Sequence, residues 1–206
     1  MYDEQRAELV SFCRLCYERG HVAGNSGNIS TRTPDDNGIV IKASGVSFHN
    51  ISPDDMLFVD WNGNAFDCRD MSDARKGGKK PSMELWMHLG LYPPAGGSNA
   101  VIHLHSPYAT ALSVLYDSIP LDVMEARCVL KRVPVIPEHP AGSRGLAAAV
   151  CEAFSDENVS VAVLKGHGPV ARGESLRDAY NRIDMLEHNS HVAVLIRSMS
   201  RTALSP

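Results

Sequence analysis

Two histidines one residue apart, His103 and His105, sit inside the apolar run NAVIHLHSPYATALSV, residues 99–114. In a strand, alternate side chains leave opposite faces, so both imidazoles project one way while Ile102 and Leu104 take the other. Adjacent imidazoles on one face make a natural pair of metal ligands. Buried without a metal, each brings a ring N–H and a lone pair that need partners. The competing reading is one satisfied core histidine beside one exposed edge histidine, and the spacing alone does not separate the two.

Two further stretches favour a metal. LKGHGPVARG sets His167 between two glycines just after an apolar strand, where a tight turn can project the ring. Alone, it is equally an ordinary loop histidine. KKPSMELWMH sets Glu84 in the first turn of a helix that leads into the His103 strand. Alone, that acid merely offsets the helix dipole. Together, three histidines and a carboxylate suit Zn²⁺, or another divalent ion such as Mn²⁺ or Co²⁺. Such an ion would act as a Lewis acid, holding substrate oxygens and stabilising an enediolate.

Other candidates carry less. His88, four residues after Glu84, shares its helical face and reads either as support for the site or as packing. His188 and His191, beside Glu187, read as a second metal site or as an interface patch, and His21, His49 and His139 as loop residues. Lys165 is read as a rim charge and Tyr108 as a packing aromatic. The Cys13/Cys16 pair has C-x-x-C spacing but lies in a helical pattern with no second pair, so it reads as two packing thiols.

Helical periodicity covers residues 3–20, and GNSGNISTR is a turn feeding a short strand. GIVIKASG is a strand, and MLFVDWNGNAF a hairpin turning at Asn-Gly. DCRDMSDARKGGKK reads as a mobile loop. Pro81-Ser82 opens a helix through Tyr92, and GGSNAVIHLHS is loop then strand. A short helix follows in PYATALSVLY, a strand in KRVPVIP and a helix in GSRGLAAAVCEAF. VSVAVLKGHGPVARG gives two strands around the Gly-His-Gly turn, and a long helix closes the chain. Helices at both ends around several strands predict one α/β domain over residues 1–206, a three-layer α/β/α arrangement with a central mixed, largely antiparallel sheet.

The chain of 206 residues is 44% hydrophobic and 21% charged, with a net charge of −4, which gives no electrostatic case for nucleic acid or an anionic membrane. No apolar run approaches the roughly 20 residues of a membrane helix. The acidic start MYDEQRAELVSF is unlike a signal peptide, and five scattered cysteines read as reduced thiols in a cytoplasmic protein.

Five motifs in order resemble the class II aldolase/adducin family of metal-dependent sugar-phosphate enzymes, closest to its fuculose-phosphate aldolases. GNSGNIS resembles the family's Gly-Asn-(Val/Ile)-Ser loop, KASG its Thr/Ser-Gly turn and KPSME its Pro-Ser-Ser-Glu. HLHSPYATALS resembles its His-x-His strand and helix, and LKGHGPVARG its third-histidine turn. The resemblance implies His103, His105, His167 and Glu84 as zinc ligands, with Glu84 also the acid/base. It implies Asn28, Ser44, Gly45 and Ser82 as phosphate contacts, although Met83 replaces the family's second serine and offers no hydroxyl. Where the family's aldolases carry a catalytic tyrosine this chain has Met124, with Glu125 beside it; Glu125 or Asp122 could stand in. The second tyrosine is missing from the tail SMSRTALSP. The implied protein is a homotetramer with sites at subunit interfaces. Its implied reaction is zinc-dependent cleavage of a small, fuculose-1-phosphate-like ketose 1-phosphate to dihydroxyacetone phosphate and an aldehyde. Epimerisation, dehydration or decarboxylation on the same metal is the alternative, and an adducin-like binding module would be expected to lose the ligands.

Overall fold

Period-two alternation sorts the strand residues onto two faces, and each face meets its own helices. The computed structural model describes residues 1–93 and 98–203. Its first half holds α1 (Asp3–Glu18), β1 (Asn28–Arg32), β2 (Gly38–Lys42), β3 (Met56–Asp60), β4 (Ala65–Asp67), α2 (Leu85–Gly90) and β5 (Ala100–His103). The second half holds α3 (Pro107–Leu115), α4 (Met124–Leu130), β6 (Val135–Ile136), α5 (Arg144–Ala153), β7 (Val161–Leu164), β8 (Gly168–Gly173) and α6 (Leu176–Ala203).

The strands form one eight-stranded sheet in the order β4-β3-β2-β1-β5-β8-β7-β6. Every pairing is antiparallel except β6 with β7. Ile29, Val40, Phe58, Ile102 and Ala171 pack with Leu9 and Phe12 of α1, Leu112 of α3, Leu130 of α4 and Ile183 of α6. Their neighbours Ile39, Ile41, Leu57, Val59 and Val101 turn the other way, against Leu85 and Met87 of α2 and Leu146 and Val150 of α5. The expected three layers and mixed, largely antiparallel sheet are therefore present. No described helix is long and apolar enough to cross a membrane.

Local differences from the sequence reading have physical causes. The helix expected from Pro81 begins at Leu85, because Pro81 bridges to Ala43 and Lys80 accepts from Ser44 N–H, which keeps this segment extended. Glu84 is thus the N-cap residue rather than part of the first turn. The polar stretch after β4 is tied down rather than loose: the Asp67 carboxylate pairs with Arg69 and Lys79. Helix α4 was not expected; Val123, which precedes it, has its N–H capped by Asn189 of α6, 66 residues away. The loop glycines Gly96 and Gly97 and the end of the tail lie outside the described residues.

Gly168 opens β8 with φ +148°, and a Cβ there would sit 2.1 Å from Leu104 O. That close approach packs the β7–β8 turn against the end of β5. Gly168→Ala should therefore cost about 3 kcal/mol in urea unfolding. Gly166→Ala (φ +65°, open space) should cost only about 1 kcal/mol. Equal losses would contradict a steric requirement at Gly168.

Candidate metal centre and active-site cleft

β5 delivers His103 on the α2/α5 side of the sheet, fully buried. The strand ends there, yet the alternation carries on: Leu104 N–H donates to Pro169 O and His105 N–H to His21 O, both at 3.0 Å. His105 therefore follows His103 to the same side, with ring centroids 5.1 Å apart. The β7–β8 turn brings in His167, its centroid 4.7 Å from each of the other two rings. One nitrogen from each ring lies within 4.8 Å of the others, the one such donor group of three or more among the described residues. For the His188/His191 pair there is no comparable third donor among the described residues. His191 instead stacks on Tyr108, and Glu187 accepts the Tyr108 and Ala109 N–H groups at the start of α3.

Glu84, at the head of α2, meets this cluster in the interior. Its Oε2 lies 3.3 Å from His103 Nε2 and its Oε1 3.8 Å from His167 Nδ1. His103 Nδ1 lies 3.0 Å from Pro169 O, a carbonyl that can only accept. The proton is thereby assigned to Nδ1 and the lone pair to Nε2, the atom facing the carboxylate. Burial lowers the His103 pKa, more than Glu84 raises it, so the ring is neutral. Burial also takes His105 down to about 4. For Glu84, burial works upward, but the carboxyl is held below its usual range, with the Asn28 amide N–H donated to Oε2 favouring the carboxylate. A lone pair thus faces a carboxylate oxygen, and both His103 Nε2 and Glu84 Oε1 lack hydrogen-bond partners. An unsatisfied buried group costs about 1–3 kcal/mol, more if charged. A divalent cation held by the three imidazoles and one oxygen of this carboxylate would meet the His103 lone pair and offset the buried negative charge, so the donor set fits Zn²⁺.

The cluster opens into a cleft of about 140 Å³ whose lining includes Asn28, Ser44, Gly45, Ser82, Glu84, His105 and His167. The structure thus gathers all four expected phosphate contacts beside the histidines. Met83 also borders the cleft, with its side chain 71% exposed. Glu125 is not gathered in: it is exposed on α4 and absent from this lining. Two residues escaped the sequence reading. Lys42, at the end of an apolar strand, borders the cleft while its Nζ donates to Ala43 O and Val46 O, clamping the turn that carries Ser44 and Gly45. His21 lies in a loop, as read, but is buried, and its carbonyl anchors His105. A lysine closing the run IVI was the available signal for the first; nothing local marks the second.

Comparison with known proteins places the chain among relatives of two activities. The family model described as "Class II Aldolase and Adducin N-terminal domain" matches residues 7–194. An L-fuculose phosphate aldolase of Methanococcus maripaludis is 35% identical over 93% of this chain and 97% of its own length. A 3-oxo-tetronate 4-phosphate decarboxylase of Escherichia coli K12 is 30% identical over 93% of this chain and 86% of its own. Among solved structures, an L-fuculose-1-phosphate aldolase from Thermus thermophilus superposes with a TM-score of 0.81 at 25% identity, covering 98% of this chain and 97% of that one.

Two outcomes follow from this geometry. His103→Ala should abolish stoichiometric metal retention, measured by elemental analysis after dialysis; full retention would contradict the cluster. In the metal-free protein, fully buried His88 protonates only at about 3, because burial disfavours its charge. The unfolded chain takes up that proton near 6.5, so it binds more protons over the interval between. The His88 contribution to stability is therefore full above about pH 6.5 and is lost as the pH falls, on the order of 1 kcal/mol per unit near pH 5. Urea unfolding of chelator-treated protein checks this, and a flat profile would contradict it.

Proposed function

The chain belongs to the class II aldolase and adducin family and is an enzyme of the lyase type; on that premise we propose a zinc-dependent aldolase that cleaves a small ketose 1-phosphate to dihydroxyacetone phosphate and an aldehyde. The observation that carries this reading is the buried, unpartnered pair Glu84 Oε1 and His103 Nε2, set beside the polar cleft. His103, His105, His167 and Glu84 would hold the ion, which supplies Lewis-acid stabilisation of negative charge developing on substrate oxygens.

The rest is the work of the chain. Asn28, Ser82 and the exposed turn Ser44-Gly45 bind the phosphate and fix the substrate's register in the cleft. In the synthetic direction Glu84, held as a carboxylate, removes the proton from the carbon that becomes nucleophilic. In cleavage its carboxylic acid form, protonated from solvent, gives a proton to that carbon and returns to the carboxylate. Glu125 would act from a neighbouring subunit, moving the proton at the aldehyde-side oxygen. That places the site at an interface of a homotetramer, a reading supported by the exposed Leu115, Met124 and Met199 on α3, α4 and α6.

The decarboxylase relative and Met83 together favour a second reading, decarboxylation of a phosphorylated 3-oxo acid with the same ligands and the same proton-return step.

Glu84→Gln should keep the metal through the three histidines while losing about 10²–10⁴-fold in proton exchange at the hydroxymethyl carbon of dihydroxyacetone phosphate in deuterated water. Unchanged exchange would remove Glu84 as the base. Retro-aldol assays on pentulose and hexulose 1- and 5-phosphates, run beside CO₂ release from 3-oxo acid phosphates, separate the two readings.

A further inference from the structure

Glu84, His88 and Tyr92 recur at every fourth residue along α2 and just past its end, so they share one face. Opposite them, Asn28 and Ser30 leave β1 on one side, two residues apart. The two periods interlock into a file of polar side chains. Tyr92 Oη lies 2.7 Å from Ser30 Oγ, and Ser30 Oγ 2.6 Å from His88 Nδ1. His88 Nε2 meets Asn28 Oδ1, and Asn28 Nδ2 lies 2.9 Å from Glu84 Oε2. No member is more than 7% exposed.

The direction of the file is set from its Glu84 end. A carboxylate only accepts, so Asn28 turns its amide N–H to Glu84 and its carbonyl to His88. His88 must then carry its proton on Nε2. Burial keeps the ring neutral, so Nδ1 accepts from the Ser30 hydroxyl, and Ser30 accepts from Tyr92. Every donor points toward Glu84. Without the His88 N–H, the Asn28 amide could turn over and set its carbonyl against Glu84 Oε2, acceptor against acceptor.

We propose that His88 is a positioning residue: through the Asn28 amide it ties down Glu84 Oε2 and leaves Oε1 as the oxygen free to transfer protons. Oε1 has no hydrogen-bond partner and faces His167 on the cleft lining. An imidazole suits the task because Ser30 and Asn28 grip its two nitrogens and fix the ring at both ends. The proposal rests on the reading of Glu84 as the proton-transfer group.

The first test needs no variant. Long-range ¹⁵N–¹H correlation spectra of histidine-labelled, metal-free protein should give His88 as the neutral Nε2–H tautomer from pH 5 to 8. An Nδ1–H tautomer or a cation at neutral pH overturns the proposal. The second test compares H88Q, whose amide reaches the Nε2 position, with H88N, whose amide reaches only the Nδ1 position. The Asn28 side-chain amide resonances should match wild type in H88Q and shift in H88N. With zinc bound and dihydroxyacetone phosphate as the probe, the exchange kcat should fall less than about threefold in H88Q and about tenfold or more in H88N. Equal behaviour of the two variants in either measurement overturns the proposal. If Glu84→Gln retains exchange, the base assignment fails by itself, and the tautomer and Asn28 spectra still judge the role of His88.

Discussion

A lone pair and a carboxylate oxygen face one another 3.3 Å apart in the interior, at His103 Nε2 and Glu84 Oε2. Two acceptors in contact with no proton between them are held together only by the structure around them, and the rest of the fold supplies that hold. Pro169 O takes the Nδ1 proton of His103, which keeps the lone pair aimed inward. Asn28 holds Glu84 from the other side. The cost of keeping such groups buried is local, about 1–3 kcal/mol for each unmet group and more for the charged one. Sheet and helix packing on both sides absorbs it. Folding and metal binding are thereby coupled, because the cation removes a penalty that the apo protein carries.

Three unconnected segments must therefore converge on a few ångströms. The head of α2 contributes Glu84, β5 with its overrun contributes His103 and His105, and the β7–β8 turn His167. The last is reached only because Gly168 lets two backbones approach more closely than a side chain would permit. The pairing of β5 with β8 ties the two histidine-bearing segments together, with His103 opposite Val170 in the register. α2 approaches across the face rather than along the sheet, so Glu84 is adjusted independently of the histidines. A family that varies its chemistry around one ion gains from that separation: the acid/base can be re-aimed without moving the ligand strands.

The metal-type side chains were legible because their signals are short-range. A two-residue spacing in an apolar run and a histidine between glycines state their geometry within a few positions. The α/β/α layering was legible for the same reason, through alternation and helical period. What escaped depends on distant partners. α4 has no side-chain cap of its own and borrows Asn189 from α6. His21 matters through its carbonyl, which any residue would supply. The start of α2 was displaced by a bridge between Pro81 and Ala43, a contact between segments 38 positions apart. The Tyr92–Ser30–His88 file needs strand and helix phases to be known together, although His88 itself was visible from its spacing to Glu84.

An eight-stranded sheet offers two free rims, and rims of unpaired backbone are where proteins stick to one another without specificity. Here the rim strands are the shortest of the eight, β4 with three residues and β6 with two. Prolines flank β6 at 134 and 137, removing donors on either side. β4 ends in Asp67, whose carboxylate is engaged by two basic side chains. Neither rim can seed a long ladder with a neighbour. Self-association is steered away from strand addition and onto the helical flanks, where contact geometry is dictated by side-chain shape and a defined number of copies can close.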